Sequence, residues 1–206
     1  MKMMKMKWLQ VILLGCIAIS ISFLSACKPA VKGSNNIAKA DETKEVDNES
    51  LYQLNGAWDD QNGDTITLSK LTGKIPVMAM VFTRCTFSCP RTIDDLKAIE
   101  KQLPADKKEK VVFVLVTFDS DRDHTGQLKA FVKKMKLGNN WMILHGNEEN
   151  VRELSMLLDV KYKKQPNGDF THSTVISLLN THGAIAAQTQ RLGADPALMV
   201  DKIKSM

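Results

Sequence analysis

The sequence predicts an α/β protein in which helices cover a central sheet. Short apolar runs alternate along the chain with segments whose apolar residues repeat at helical spacing. Two of the runs, at 76–82 and 111–118, are almost entirely apolar, as expected of strands buried in the middle of a sheet. The chain closes with a second hairpin signal and a helix. At 206 residues it is long enough for one ordinary domain with additional segments.

A β-hairpin is predicted at the start of the folded domain, which should begin near Leu51. Residues 59–64, Asp-Asp-Gln-Asn-Gly-Asp, are a turn signal, and the alternating segment 65–68 follows it. The apolar run at 76–82 is short enough for a buried strand, and a motif with two cysteines comes directly after it.

Helices and strands alternate through the middle of the chain. Apolar residues at helical spacing predict a helix that ends at Pro104 and has Pro90 in its first turn, where the missing N–H costs nothing. Four elements follow, namely a strand over 111–118, a helix that stops near Gly138, a strand over 141–144 and a helix over 147–158.

The C-terminal part is predicted to be a second hairpin and a last helix. Strands over 173–179 and 184–188 flank a turn signal at 180–183, and Asp195 and Pro196 begin the helix. A chain that ends on a hairpin and a helix has the thioredoxin arrangement. We therefore predict a thioredoxin-like fold, with a central mixed sheet flanked by helices and an N-terminal β-hairpin extension. The domain should occupy residues 51–206.

Residues 1–26 are predicted to be an export signal outside the fold. Three lysines and no acidic residue precede an apolar run from Trp8 to about Leu24, which is the layout of a secretory signal. The run ends in Leu-Ser-Ala-Cys at 24–27, which looks like a bacterial lipobox. Its cysteine, Cys27, would be lipidated and become the mature N-terminus. We expect an exported protein, lipid-anchored to a bacterial membrane, with its domain facing the periplasm or the cell exterior.

Two other interpretations of the N-terminal segment remain open. The apolar run is roughly the 20 residues that an uncleaved transmembrane anchor needs. Residues 13–16, Leu-Leu-Gly-Cys, are a second lipobox candidate, although cleavage there would leave the apolar stretch 17–24 on the mature chain. All three interpretations place the domain outside the cytoplasm at a membrane surface.

Residues 27–50 are predicted to be a flexible tether. They contain no aromatic and few aliphatic residues, so they cannot offset the entropy lost on ordering. A coil of this length reaches roughly 25 Å on average. Removal of the signal takes three lysines and lowers the net charge from +5 to +2. The chain has no arginine-rich cluster or aromatic-basic interleaving, and we expect no nucleic-acid binding.

The cysteine count directs attention to one pair. Of the four cysteines, Cys16 lies in the signal and Cys27 is the predicted lipid site, which leaves Cys85 and Cys89. A disulfide between residues four apart closes too small a loop to stabilise a domain appreciably. Redox chemistry or metal binding is therefore favoured over a structural role.

The pair lies where a predicted strand meets a predicted helix, and this position favours thiolates. A helix N-terminus offers a partial positive charge and free N–H groups. If both cysteines were helical, their Cβ atoms would be roughly 5–6 Å apart, wider than the roughly 4 Å of a disulfide. Two sulfurs each about 2.3 Å from a metal can be about 4.6 Å apart. The spacing favours a metal without excluding redox cycling.

Two thiolates are soft ligands that select Cu(I) or zinc, and such a site needs at least one further donor. In a thioredoxin-like layout the loop before the late strand faces the cysteine turn, which favours His172. His182, at the other end of that strand, should be remote. The remaining histidines are His124 and His145.

Five motifs are specific in combination although each is weak alone. They are Asp60-Gln61-Asn62-Gly63, Phe82-Thr83-x-Cys85-x-x-x-Cys89-Pro90, Thr117-Phe118-Asp119-x-x-Arg122-Asp123, Phe170-x-His172-Ser173 and Gly193-Ala194-Asp195-Pro196. Together they resemble the Sco/SenC family of copper-binding thioredoxin-fold proteins, from about Leu51 to the C-terminus. The resemblance implies copper ligation by Cys85, Cys89 and His172. It links Asp119 to the site and to partner interactions.

The resemblance also implies a function in the assembly of cytochrome c oxidase. Members of the family deliver copper to its dinuclear copper centre or reduce the cysteines there, so the expected partner is the copper-bearing subunit or another copper chaperone. Some members act mainly as thiol–disulfide oxidoreductases, and that alternative needs Cys85 and Cys89 as a redox pair but not His172. A related peroxidase is disfavoured because nothing in the chain pairs a lone low-pKa cysteine with a Thr-x-x-Cys motif.

One departure from the family pattern concerns the residues between the cysteines. The best-known form has proline after the first cysteine and then an acidic or polar residue, whereas this chain has Thr86-Phe87-Ser88. We expect a freer loop and an apolar contact surface at Phe87, with copper ligation intact because the ligands and their spacing are retained.

Overall fold

The computed structural model describes residues 49–206. The predicted signal, the predicted lipid site Cys27 and nearly all of the predicted tether lie outside the described residues. Within the described part of the chain, no helix is long and apolar enough to cross a bilayer. The fold begins one residue before the predicted Leu51, because Ser50 is buried and its hydroxyl donates to the carbonyl of His182.

Nine strands and five α-helices form the domain. The strands are β1 Trp58–Asp60, β2 Thr65–Ile66, β3 Ile75–Val81, β4 Val111–Thr117, β5 Trp141–His145, β6 Tyr162–Lys164, β7 Phe170–His172, β8 Ile176–Leu179 and β9 Ile185–Thr189. The helices are α1 Ser88–Gln102, α2 Ala105–Lys108, α3 Thr125–Met135, α4 Glu148–Leu157 and α5 Pro196–Lys204.

Seven of the strands form one mixed sheet in the order β2-β1-β5-β4-β3-β8-β9. Strands β3, β4 and β5 are parallel to one another, and the hairpins β1–β2 and β8–β9 complete the two edges with antiparallel pairs. Every residue of β3 is buried, because β3 is paired on both sides. The predicted mixed sheet with an N-terminal hairpin is confirmed.

The parallel register of the central strands positions the functional end of the sheet. Val81 at the end of β3 pairs with Thr117 at the end of β4. The turn after β3, which carries both cysteines, therefore lies beside the turn after β4, which carries Asp119 and Asp123. Ligand sites of α/β folds occur at this carboxyl edge.

The helices begin and end at the signals that the sequence contains. Helix α1 buries Ile93, Leu96 and Ile99 and packs against α5. Asn147 caps α4 by accepting a hydrogen bond from the N–H of Asn150 (2.8 Å), and Asp195 caps α5 in the same way. These caps satisfy N–H groups that have no partner inside the helix.

Two elements were not predicted from the sequence, the short helix α2 and the β6–β7 hairpin. The hairpin strands are three residues each and have no apolar alternation, so they give no strand signal. Packing of aromatic rings holds the hairpin to the domain. The ring of Phe118 lies 5.3 Å from that of Tyr162 and 5.0 Å from that of Phe170, between centroids.

Candidate metal centre

The cysteine turn leaves the buried end of β3 and enters α1. The N–H of Cys85 donates to the carbonyl of Phe82 (3.1 Å), which tightens the turn before α1 begins at Ser88. Cys89 is the second residue of α1, and its N–H donates to the sulfur of Cys85 at 3.3 Å. An N–H from the first turn of the helix therefore points at a cysteine sulfur, as the sequence predicts.

His172 reaches the cysteines from β7. Its Nδ1 lies 2.9 Å from the carbonyl oxygen of Ser173, and because a carbonyl only accepts, Nδ1 carries the proton. The lone pair is then on Nε2, which lies 3.8 Å from the sulfur of Cys89. The ring packs on Phe118, with 5.0 Å between centroids, and on the edge of Phe82 at 6.2 Å.

The ligand atoms of Cys85, Cys89 and His172 all lie within 4.8 Å of one another. Within residues 49–206 this is the one group of three His, Cys, Asp or Glu side chains that comes close enough to hold a metal ion. Two sulfurs and an imidazole nitrogen are soft and borderline donors of the kind that bind Cu(I) or zinc. The donor set therefore fits the copper that the family resemblance implies.

The two thiols are free, and their pKa values move in opposite directions. The hydrogen bond with Cys89 is the main cause that lowers the pKa of Cys85, with help from the hydroxyl of Ser88 and backbone N–H groups, against the opposing effect of burial. The same pairing with Cys85, together with burial, raises the pKa of Cys89. Cys85 is therefore the thiol of the pair that ionises first as the pH rises.

Ser88 stands among the three predicted ligands and was not predicted as a site residue from the sequence. Its Oγ lies 2.9 Å from Nε2 of His172 and 3.4 Å from the sulfur of Cys85. Serine at the start of a helix is common, so the sequence carries no signal that distinguishes this one.

Asp119, which the resemblance links to the site, lies beside the ligand group and is not part of it. Its buried carboxylate forms an ion pair with Arg122 at 2.6 Å. Arg122 also donates to the carbonyl of Gly168 in the turn between β6 and β7. Asp119 therefore acts on the hairpin that carries His172 through Arg122. Its assignment as a site residue stays a prediction.

Asp123 is a further residue that fixes the site. It is fully buried and accepts hydrogen bonds from the N–H of Thr83 (2.8 Å) and from the hydroxyl of Thr117 (2.6 Å). These bonds tie the start of the cysteine turn to the end of β4. Asp123 belongs to a motif of the family resemblance, but nothing local in the sequence separates it from an ordinary turn aspartate.

The other three histidines lie outside the ligand group. His124 and His145 face each other with 5.3 Å between ring centroids, and Nε2 of His145 lies 2.9 Å from the carbonyl of Ser120. His182 lies in the turn between β8 and β9, at the other end of the domain from the cysteines, as expected.

A cleft of about 400 Å³ opens onto the site, and Arg84, Cys85, Phe87 and His172 are among the residues that line it. Phe87 is 64% exposed, and the guanidinium of Arg91 lies 3.9 Å from the centre of its ring. An exposed apolar side chain therefore lines the cleft, and its contact with a partner stays a prediction. Cys85 lies at the cleft while Cys89 is completely buried behind it.

The model of the SCO1/SenC family matches residues 46–206. The chain belongs to this family. It is 30% identical over 130 residues to a Stutzerimonas stutzeri protein provisionally named as copper-binding, a match that covers 61% of this chain and 63% of the relative. The chain thus spans less than two thirds of the length of that relative.

Solved structures of Sco proteins share the fold. A SCO1/SenC family lipoprotein from Bacillus anthracis str. Ames superposes with a TM-score of 0.66 at 25% identity, covering 72% of this chain and 90% of that one. Arabidopsis thaliana ScoI, solved with copper bound, gives a TM-score of 0.65 at 22% identity, covering 73% and 97%. The predictions of a thioredoxin-like fold and of the Sco/SenC family are confirmed.

Proposed function

We propose that this chain is a membrane-tethered copper-binding protein that delivers copper to the dinuclear copper site of cytochrome c oxidase or prepares the cysteines of that site. Cys85, Cys89 and His172 are its copper ligands. One observation carries the proposal, namely that the two sulfurs and the imidazole nitrogen lie within 4.8 Å of one another. The name of the Stutzerimonas stutzeri relative and the copper in Arabidopsis thaliana ScoI support it.

The state of the three side chains suits capture of Cu(I). The lowered pKa of Cys85 makes its sulfur a thiolate at neutral pH, and the thiolate is the form that binds metal. The proton on Nδ1 of His172 leaves Nε2 free for the ion. Binding releases the proton of Cys89, since a metal-bound thiol is deprotonated.

Copper leaves by ligand exchange with the recipient. His172 and Cys85 line the cleft and can be reached from it, although Cys85 is only 8% exposed, whereas Cys89 is completely buried. His172 is the most exposed of the three and is carried by a hairpin outside the main sheet. A donor group of the recipient therefore replaces His172 first, and the cysteines release the ion last.

The recipient is the copper-bearing subunit of cytochrome c oxidase or another copper chaperone. The lipid on Cys27 and the tether of residues 27–50 hold the domain at a bacterial membrane, facing the periplasm or the cell exterior. A reach of roughly 25 Å suits a partner whose copper site lies near the same membrane surface.

Replacement of one histidine tests the proposal. In the purified full chain, His172→Ala should reduce copper binding from about one ion per chain and abolish maturation of the oxidase copper site in cells. His145→Ala is the matched control, because His145 is a histidine at the same edge of the sheet but outside the ligand group. Unchanged copper affinity and unchanged oxidase activity in His172→Ala would contradict copper delivery through this site.

A thiol–disulfide oxidoreductase is the second candidate, and the asymmetry of the cysteine pair favours it. The Cys85 thiolate at the cleft would attack a partner disulfide, forming a mixed disulfide and releasing one partner thiolate. Cys89, once deprotonated, would then attack Cys85. The products are a Cys85–Cys89 disulfide and a second partner thiolate.

The two candidates differ in their need for His172. An oxidoreductase keeps its rate of disulfide reduction in His172→Ala and loses it in Cys85→Ser. A copper carrier loses copper in both variants. Copper content and the rate of disulfide reduction, measured on the parent protein, His172→Ala and Cys85→Ser, separate the two functions.

A further inference from the structure

The hydroxyl of Ser88 lies between two of the proposed copper ligands. Its Oγ is 2.9 Å from Nε2 of His172 and 3.4 Å from the sulfur of Cys85, both within hydrogen-bond reach. It does not cap the helix, since α1 has no side-chain cap and Ser88 is its first residue. Within residues 49–206, the hydrogen bonds of this hydroxyl therefore go to two proposed ligands, His172 and Cys85.

The hydroxyl has one proton and faces two acceptors. Nδ1 of His172 holds its own proton toward the carbonyl of Ser173, so Nε2 is an acceptor. The Cys85 sulfur, 3.4 Å away, is the other acceptor, and as a metal ligand it would be a thiolate. A serine hydroxyl cannot donate to both at once. Nε2 of His172, at 2.9 Å, is the closer acceptor. The hydroxyl proton of Ser88 therefore points to Nε2 as long as no metal occupies that nitrogen.

We propose that Ser88 is a positioning residue that changes its hydrogen-bond acceptor when copper binds. In the empty site its hydroxyl donates to Nε2 and holds the His172 ring toward the cysteines. Once Nε2 is a copper ligand, its lone pair is occupied and the hydroxyl turns to donate to the Cys85 thiolate. The inference rests on the proposed ligands Cys85, Cys89 and His172.

The turned hydroxyl favours reduced copper over oxidised copper. A hydrogen bond to a metal-bound thiolate withdraws electron density from the sulfur, and hydrogen bonding around a cysteine sulfur tunes the potential of copper sites. Cu(II) depends on electron donation from sulfur more than Cu(I) does. Ser88 therefore raises the ratio of Cu(I) affinity to Cu(II) affinity.

Three variants of the full chain test the role of this hydroxyl. Ser88→Ala removes it, and Ser88→Thr retains it at the same position. Thr86→Ala is the matched control, since Thr86 is an exposed hydroxyl residue in the same turn and has no hydrogen bond to a ligand. Each protein is loaded with Cu(II) and with Cu(I), and the thiolate-to-Cu(II) absorption band and both affinities are measured.

Loss of the Ser88 hydroxyl should change both the absorption band and the copper affinities. Ser88→Ala should move the absorption band to lower energy and lower the Cu(I)-to-Cu(II) affinity ratio by about tenfold, the effect of one hydrogen bond to a charged acceptor. Ser88→Thr should restore both properties, and Thr86→Ala should match the parent protein. Without added copper, ¹⁵N spectra should show that His172 loses a hydrogen bond at Nε2 in Ser88→Ala. The bond should remain in Ser88→Thr and in Thr86→Ala.

Two outcomes would overturn the inference in different ways. If the parent protein binds copper and Ser88→Ala keeps the same band and the same affinity ratio, Ser88 has no such role and the proposed function stands. If the parent protein binds no copper, the proposed function fails and the inference fails with it. A thermal unfolding curve for each variant shows that the proteins compared are folded.

Discussion

The cysteine turn and the β6–β7 hairpin supply the ligands of one site, yet they are held in different ways. The turn continues from β3, every residue of which is buried, and Asp123 fastens it to β4 by hydrogen bonds. The hairpin is a separate two-stranded sheet, and no residue of its two strands is buried. Aromatic packing on Phe118 and the contact from Arg122 to Gly168 attach it to the domain.

The contrast separates the stability of the fold from the assembly of the site. A change in the cysteine turn disturbs the buried core, and its cost appears in global unfolding. A change in the hairpin moves His172 while the sheet remains intact, because isolated two-stranded hairpins are marginally stable. We therefore expect damage to the two regions to have different signatures, and three experiments examine this.

The largest effect is expected from Asp123→Ala in the anchor of the cysteine turn. The change leaves the N–H of Thr83 and the hydroxyl of Thr117 buried without their acceptor, which should lower the free energy of unfolding by about 3 kcal/mol. Urea denaturation measures this loss. The exposed Asp121 is the control, and Asp121→Ala, which loses an exposed ion pair with Lys164, should lower the urea midpoint far less. Equal midpoints for both variants would show that the turn needs no such anchor.

The reactivity of Cys85 should be a property of the cysteine turn alone. Cys89, Ser88 and backbone N–H groups lower its pKa, and all of them belong to this turn. Its thiolate is lost only when the pH falls through this lowered pKa, so alkylation by iodoacetamide should be nearly constant from pH 6 to 9. An ordinary thiol gains about tenfold per pH unit up to its pKa of about 8.5.

At pH 6, Cys85 should react at least about tenfold faster than Cys89, whose pKa is raised. Mass spectrometry of the alkylated peptides gives both rates. The profile should be the same in His172→Ala. A rate that rises steeply toward pH 9 in that variant, but not in the parent, would mean that the hairpin also governs the thiolate.

The smallest effect on stability is expected at Gly168 in the hairpin, although copper binding should suffer. Its φ is +83°, and an added Cβ would lie 2.8 Å from Nη1 of Arg122, so Gly168→Ala displaces the contact that holds the hairpin. Copper affinity should fall by about tenfold. This is the lower end of the loss seen when a residue that holds a metal ligand in place is removed. The urea midpoint should fall less than in Asp123→Ala, because the cost to stability is that of a left-handed backbone position.

Gly73→Ala is the matched control for Gly168→Ala. Gly73 has a φ of +85°, but an added Cβ there would meet nothing within 4 Å. Both variants carry the same backbone cost, roughly 1–2 kcal/mol for a left-handed residue, and only Gly168→Ala disturbs Arg122. Equal copper affinities in the two variants would contradict the role of the Arg122 contact.

Most of the sheet and the cysteine turn could be predicted because their signals are local. The apolar runs of β3 and β4, the caps Asn147 and Asp195, and the turn sequences of the two predicted hairpins each act within a few residues. The β6–β7 hairpin gave no such signal, since its strands are short and polar and its stability comes from the ring of Phe118, more than 40 residues away in the sequence.

The sequence by itself determined the α/β class, the position of the cysteine pair at a helix N-terminus and the preference of these residues for a soft metal. The tertiary structure alone decided which atoms meet. It brought His172 to the thiols on a peripheral hairpin, placed Ser88 between two ligands and separated Asp119 from the ligand group. The physical reason is that thiolate chemistry depends on local spacing and helix position, whereas ligand assembly depends on long-range packing that closes large loops.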